Sequence, residues 1–293
     1  MNAPFRKYHG TGNDFLIISA DEPVSDRAEL AIRECDRESG VGADGILFLG
    51  LEERAQPPRV DMTLFQPDGS TAPMCGNGAR CAAEWGMDQA DTERVLIETP
   101  AGTLRGKYTD TAEFDSSGES DDSSVDESNV AIEMTTPTFD PERIPVEADE
   151  PVIEEEIEGL EVTVVNTGVP HAVAFVDDVD DVALEEIAPA VRNADSFPRG
   201  TNVTIASPKP DGDGYRQRSY ERGVEGETDA CGTGAVAIAA AARRLGLTED
   251  DEIDVQPPGG DLEIRFADGT TMLVGPVERE FDGEVSLETS AAE

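Results

Sequence analysis

Cys75–Gly86 reads CGNGARCAAEWG, and Cys231–Gly246 reads CGTGAVAIAAAARRLG. Each is Cys-Gly-x-Gly opening an Ala-rich helix, and the second Cys lies 156 residues after the first. Counting back 63 residues from either Cys reaches a glycine, Gly12 or Gly168, in matching surroundings: TGNDFLII from Thr11 and TGVPHAVAF from Thr167. Downstream, ETPAGTL (Glu98–Leu104) parallels VQPPGGDL (Val255–Leu262) with a two-residue shift. One Gly-x-Gly turn is common in α/β proteins. Three anchors in one order at nearly one spacing point instead to an internal duplication.

The rest of the chain reads as short strands: FLIISA, GILFLG, VDMTLF, RVLIET, EVTVVN, HAVAFV, NVTIAS, YRQRSYER, DEIDV, LEIRFA and TMLVG. Several alternate with period two. Helices are predicted over Asp26–Arg37, Asn77–Met87, Asp180–Arg192 and Gly232–Leu245. Strands and helices do not alternate regularly, which disfavours a doubly wound parallel sheet. Gly234–Ala242 is apolar all round, so that helix must be buried on every side. The expected fold class is α/β (α+β): two pseudo-symmetric domains from an internal duplication, each a largely antiparallel or mixed sheet wrapped around a central helix. Expected boundaries are 1–125 plus 276–293 for the N-terminal domain and 126–275 for the C-terminal one. Asp110–Asn129, rich in Ser and acids, reads as a solvated loop near the boundary. The tail 278–293 carries a strand-like piece, FDGEVSL, that can return to the first domain.

Composition sets the setting. The 293 residues hold 22 Lys+Arg against 64 Asp+Glu, a formal charge of −42. That excludes nucleic acid and anionic membranes as default partners, since both are bound by basic patches. Acids spread along the whole chain between clean apolar runs point to a folded protein adapted to concentrated salt rather than to disorder. The four cysteines are too few for a disulfide scaffold. The N-terminus MNAPFRKYHG has no apolar signal core, and the apolar run at 234–242 is far below the ~20 residues of a membrane span. A reduced, cytoplasmic protein is expected.

The chemistry follows from where the two cysteines sit. A helix start leaves backbone N–H groups unpaired and carries roughly half a positive charge. It therefore favours thiolate over thiol and lowers the thiol pKa. The same ends can hold a carboxylate, because Gly76, Asn77, Gly232 and Thr233 offer N–H donors with little bulk in the way. Inverting a stereocentre beside a carboxylate needs a base on one face and an acid on the other. One Cys as thiolate and one as thiol supply both, with no cofactor.

The runs YHGTGNDFLII, MCGNGARCAA, GVPHAV and YERGVEGETDACGTGA closely resemble the diaminopimelate epimerase family, from about Phe5 to Leu287 outside the acidic insertion. The resemblance implies pyridoxal-phosphate-independent interconversion of L,L- and meso-diaminopimelate in lysine biosynthesis. It implies Cys75 and Cys231 as the acid/base pair. By the same resemblance Asn13, Gln66, Gly76, Asn77, Asn202, Glu221, Arg222, Gly232 and Thr233 bind substrate, Glu221 and Arg222 gripping its amino and carboxylate groups. His171 in VPH is a candidate helper. Gln66 and Val169 depart from the family pattern, where many members have Asn at each position.

Cys81 and Cys35 read as core residues, and Asp44 and Asp68 as turn formers. No Cys-x-x-Cys occurs and His appears only twice, so no metal site is expected. Diaminopimelate is the expected partner, and a homodimer is a candidate assembly. Two alternatives stay open: a cofactor-independent racemase of another amino acid, proline racemase-like, and a dinucleotide-binding oxidoreductase. The latter rests on Gly232-Thr-Gly234-x-x-Ala237, which fits G-x-G-x-x-A but follows GVEGETDA rather than a buried strand.

Overall fold

A computed structural model describes residues 1–109, 127–267 and 269–287. The chain divides into two compact units, 1–132 with 275–293, and 133–274.

The first unit runs β1 (Asn2–Gly10), β2 (Asn13–Ser19), α1 (Arg27–Glu34), β3 (Gly45–Glu52), β4 (Arg59–Phe65), β5 (Thr71–Ala72), α2 (Gly76–Ala90), β6 (Arg94–Thr99), β7 (Gly102–Tyr108) and β8 (Glu127–Met134). The second holds β9 (Glu155–Ile157), β10 (Leu160–Asn166), β11 (Pro170–Phe175), α3 (Leu184–Arg192), β12 (Asn202–Pro208), β13 (Tyr215–Glu221), β14 (Gly226–Thr228), α4 (Gly232–Leu245), β15 (Glu252–Gln256), β16 (Leu262–Ala267) and the start of β17 (Thr270–Ser286).

From β1 and from β10 the wiring is the same. β1–β2 and β10–β11 are antiparallel hairpins. Each second strand pairs in parallel with the next, β2 with β3 and β11 with β12, across an intervening helix. β3–β4 and β12–β13 are antiparallel. β4–β6 and β13–β15 are parallel, and β6–β7 and β15–β16 close each run antiparallel. Both sheets are thus mixed.

Each sheet is covered on both faces, which explains why its strands read as continuous apolar runs. In β2, Leu16 and Ile18 join Ile46, Phe48 and α1's Leu30 and Ala31 in one cluster. Phe15 and Leu47 turn the other way, toward Gly78 of α2. In the second unit Val164, Ala172, Val203 and Ile205 pack with Leu184, Ala188 and Val191 of α3. The opposite face meets α4, whose residues from Gly234 to Ala242 are all buried. α2 contacts β1, β2, β3, β4, β6 and β7, and α4 contacts the equivalent β10, β11, β12, β13, β15 and β16.

Several local readings change. The first helix is shorter than Asp26–Arg37: Asp26 caps it by accepting from the Glu29 amide, and Cys35 closes it. β1, β7 and β8, with the short β5, β9 and β14, are not among the predicted strands, and β8 takes residues 127–129 of the segment read as a loop. The remainder of that segment, 110–126, lies outside the described residues. From 278 to 286, β17 pairs antiparallel with β1, Asn2 opposite Ser286 and His9 opposite Glu278. No helix among the described residues is long and apolar enough to cross a membrane.

Candidate functional site

Cys75 is the N-cap of α2 and is half-buried; its backbone is extended, and its Sγ accepts from the Gly78 amide at 3.5 Å. The amides of Gly76 and Asn77 follow in the first helical turn, where no intrahelical acceptor exists for them. Asn77 is buried and donates from Nδ2 to Asn13 Oδ1 at 2.7 Å and to the Thr11 carbonyl at 3.5 Å. Asn13 therefore reaches the helix start through Asn77.

The turn that delivers Asn13 is tight. Gly10 pairs with Asn13, leaving Thr11–Gly12 as a two-residue hairpin loop. Both loop residues have positive φ, 51° and 81°, as a type I′ turn requires. Gly12 adopts this without steric cost, whereas Thr11 is held in it. His9 accepts from the Gly12 amide through Nε2 at 3.2 Å.

Asp44 is more than a turn former. Its Oδ2 accepts from Asn13 Nδ2 at 3.2 Å and from the Asp14 amide at 3.1 Å. Arg37 bridges Asp44 and Asp14, and Lys7 pairs with Asp14 at 2.8 Å. Burial would raise the Asp14 carboxyl, but hydrogen bonds from Arg37 and Lys7 outweigh it and bring the pKa to about 2. Asp68 does keep to a turn, accepting from the amide and hydroxyl of Ser70. Gln66 lies in the same turn, its Oε1 accepting from Ser70 Oγ at 3.0 Å.

Cys231 is the N-cap of α4, the topological counterpart of α2. It is buried, with Sγ 3.5 Å from Thr233 Oγ1. The helix-end argument anticipates a lowered thiol pKa, and here it is overturned. Burial and then the Glu221 carboxylate push the Cys231 thiol well above its ordinary value. Desolvation of a thiolate beside a second anion outweighs half a dipole charge. Glu221 is itself raised by burial, and it accepts a 2.5 Å hydrogen bond from Thr228 Oγ1.

Beneath the start of α4 lies a buried polar patch on the helix-facing side of the sheet. His171 Nδ1 is 3.1 Å from Thr204 Oγ1, and Nε2 is 3.1 Å from Thr233 Oγ1. Thr204 meets Ser219 Oγ at 3.2 Å, and Gln217 Nε2 donates to Ser219 Oγ and to the Cys231 carbonyl. Asn202 Oδ1 accepts from the Arg222 amide at 2.8 Å, which turns Nδ2 toward His171 Nε2 at 3.4 Å. That assigns the ring proton to Nδ1, donated to Thr204. Burial and then Arg222 lower His171 to about 3, so the imidazole is neutral.

The Arg222 guanidinium donates to the carbonyls of Arg199 and Gly200. No carboxylate among the described residues pairs with it. Burial, then Arg192 and Arg199, lower its pKa. Val169 contributes its carbonyl to the Thr167 amide. Cys35 and Cys81 are core residues, and burial raises both thiols to about 12. No cluster suited to a metal occurs among the described residues. β14, the strand before the α4 turn, has three residues and is half-buried. That is not the buried strand a dinucleotide fingerprint requires.

The first unit thus gathers Cys75, Gly76, Asn77 and Asn13, with Gln66 in the turn after β4. The second gathers Cys231, Gly232, Thr233, Asn202, Glu221, Arg222 and His171. Sequence reasoning missed Asp44, Gln217 and Arg80. Arg80 had a visible signal, a lone cation inside GNGARCAA.

The family model for diaminopimelate epimerase matches residues 5–119 and 163–280. A diaminopimelate epimerase of Methanocella arvoryzae is 41% identical, covering 98% of both chains. One of Archaeoglobus fulgidus is 39% identical, again covering 98% of each. Among solved structures, a PhzF-family phenazine biosynthesis protein of Bacillus anthracis shares the fold with a TM-score of 0.66 at 17% identity, covering 98% of this chain and 99% of that one. A probable proline racemase of Agrobacterium radiobacter gives 0.62 at 16% identity, over 98% and 93%.

Proposed function

Because the chain belongs to the diaminopimelate epimerase family, we propose that it interconverts L,L- and meso-diaminopimelate by a two-base reaction of Cys75 and Cys231. The observation that carries the reading is the paired placement of the thiols, each capping the equivalent helix of a repeated unit. A thiolate takes the α-proton, and charge spreads onto the adjacent carboxylate. The amides of Gly76, Asn77, Gly232 and Thr233 stabilise that charge where it develops. The other thiol gives its own proton to the opposite face of the carbon. One S–H bond forms and one breaks, so turnover exchanges the protonation states of the two cysteines.

Cys231, buried beside Glu221, is suited to begin as the thiol. Arg222, with Arg192 and Arg199 near it, suits a substrate carboxylate, and Glu221 suits an ammonium group. Asn13, Asn202 and Gln66 supply neutral polar contacts. His171 stays neutral and orients Thr233. The scheme uses no cofactor. We place the enzyme in lysine biosynthesis, in the cytoplasm of a salt-adapted cell.

The test is a stereochemical assay in concentrated salt with reductant. L,L-Diaminopimelate is incubated with the protein in D₂O, and products are resolved by chiral separation with mass detection. Meso product carrying one α-deuterium is expected. No product from folded, reduced protein overturns the reading.

A further inference from the structure

Arg80 is an anomaly in the first unit. It lies five residues after Cys75 inside α2 and is 0% exposed. Long helical side chains lean back toward the helix N-terminus, and Arg80 does so. Its Nη2 donates to Thr11 Oγ1 at 2.8 Å, over the first turn. Nε and Nη1 are buried with no hydrogen-bond partner. No carboxylate pairs with it among the described residues. The ionisable groups acting on it are the thiols of Cys81 and Cys75, and burial lowers its own pKa to about 10. Cys81 stays protonated because burial lifts it to about 12, with Cys75 and Glu84 adding to the rise against Arg80. Cys75 is the group left to supply a counter-charge.

The second unit lacks this cation. Five residues after Cys231 stands Val236, fully buried. Thr167, the counterpart of Thr11, donates its hydroxyl to the Thr233 carbonyl at 3.0 Å instead of accepting from an arginine. A carboxylate, Glu221, acts on Cys231. The two cysteines therefore differ in a charged neighbour, Arg80 for Cys75 and Glu221 for Cys231.

Resting on the two-base reading above, we propose that Arg80 is a positioning residue, the buried counter-cation that favours the thiolate of Cys75 and pins the Thr11 turn carrying Asn13. The asymmetry between Arg80 and Glu221 makes the resting protein a Cys75 thiolate with a Cys231 thiol. A desolvated charge is weakly screened by salt, so this preference persists in the concentrated salt the surface calls for.

The experiment is the pH profile of iodoacetamide alkylation, followed at Cys75 and Cys231 separately by peptide mass spectrometry on the full-length reduced protein. In the unaltered protein the Cys75 midpoint is expected below the ordinary thiol value of about 8.5. Arg80→Met should raise it by at least about one pH unit, a roughly tenfold loss of thiolate below the midpoint. Arg80→Lys should restore most of the shift, and the Cys231 profile should not move. A Cys75 midpoint at or above the ordinary value in the unaltered protein overturns the proposal without any variant, as does a folded Arg80→Met whose Cys75 profile is unchanged. Failure of the two-base reading looks different, because Cys75→Ser would then still epimerise.

Discussion

Gly86 sits in the middle of α2, where a glycine costs about 0.8–1 kcal/mol relative to alanine. Gly86→Ala would therefore stabilise an isolated helix. In this protein a Cβ at Gly86 would lie 2.4 Å from Val60 Cγ2, against an ordinary contact beyond about 3.4 Å. Val60 has little room to give. It is fully buried, stiff at χ1, and its strand β4 is held by β3 on one side and β6 on the other. Overpacking costs about 1–3 kcal/mol, and an approach this close belongs at the upper end. After the propensity gain the variant should be destabilised by about 2 kcal/mol. Val60→Ala alone removes two buried methyl groups and should cost a similar amount, about 2 kcal/mol. In the double variant the new methyl occupies the space Val60 vacates, so the sum of about 4 should fall to about 1–2 kcal/mol, a coupling of 2 or more. Urea titration in concentrated salt can be followed by the fluorescence of Trp85, the single tryptophan and the neighbour of Gly86. A Gly86→Ala variant as stable as the parent, or additive behaviour in the cycle, would refute the claim that α2 is pressed against β4 with no slack.

Cys75→Ser and Cys231→Ser should each lower epimerisation by about a thousandfold, within the range of a lost acid/base group, with an unaltered circular dichroism spectrum; a fully active variant would remove that cysteine from the reaction. Dilution from multimolar to millimolar salt should unfold the protein, because screening over about 3 Å at 1 M gives way to repulsion among 64 acids. An unchanged spectrum on dilution would reject salt adaptation. Asp14, at about 2 in the fold, lies below its ordinary 3.8, so its contribution of about 2 kcal/mol is complete above about pH 5 and fades as pH falls through 2. The stability gap between the parent and Asp14→Asn should accordingly close over that range. His171, near 3 in the fold and about 6.5 when unfolded, takes up its proton only on unfolding, so it favours the fold above pH 6.5 and loses that effect as pH drops. His171→Gln should flatten stability against pH between 6.5 and 3; an NMR titration of His171 near 6.5 in the folded protein would contradict the burial argument.

The repeat was legible because it was written in residue types with strong local meaning. Gly12 and Gly168 mark turns, the two Cys-Gly-x-Gly runs mark helix starts, and the all-apolar stretch 234–242 can only be a buried helix. β1 was not legible, because NAPFRKYHG mixes Pro, Arg, Lys and His with few apolar residues. It becomes a strand only when β2 and β17 supply partners on both edges. The candidate site divides in the same way. Helix-start donors follow from local geometry, so Gly76, Asn77, Gly232 and Thr233 could be named from their position after each Cys. The charge state of the thiols could not. A dipole argument treats Cys75 and Cys231 alike, since both are N-caps. Their surroundings differ through Arg80, folded back over one helix start, and Glu221, brought beside the other from the end of β13. Those two residues lie on opposite sides of their cysteines in sequence, five positions after Cys75 and ten before Cys231, and at neither position do the two halves match. A duplicated scaffold provides two equivalent helix starts, and Arg80 beside one and Glu221 beside the other give them different surroundings. The departures from the repeat, rather than the repeat itself, are therefore where the surroundings of the two cysteines diverge.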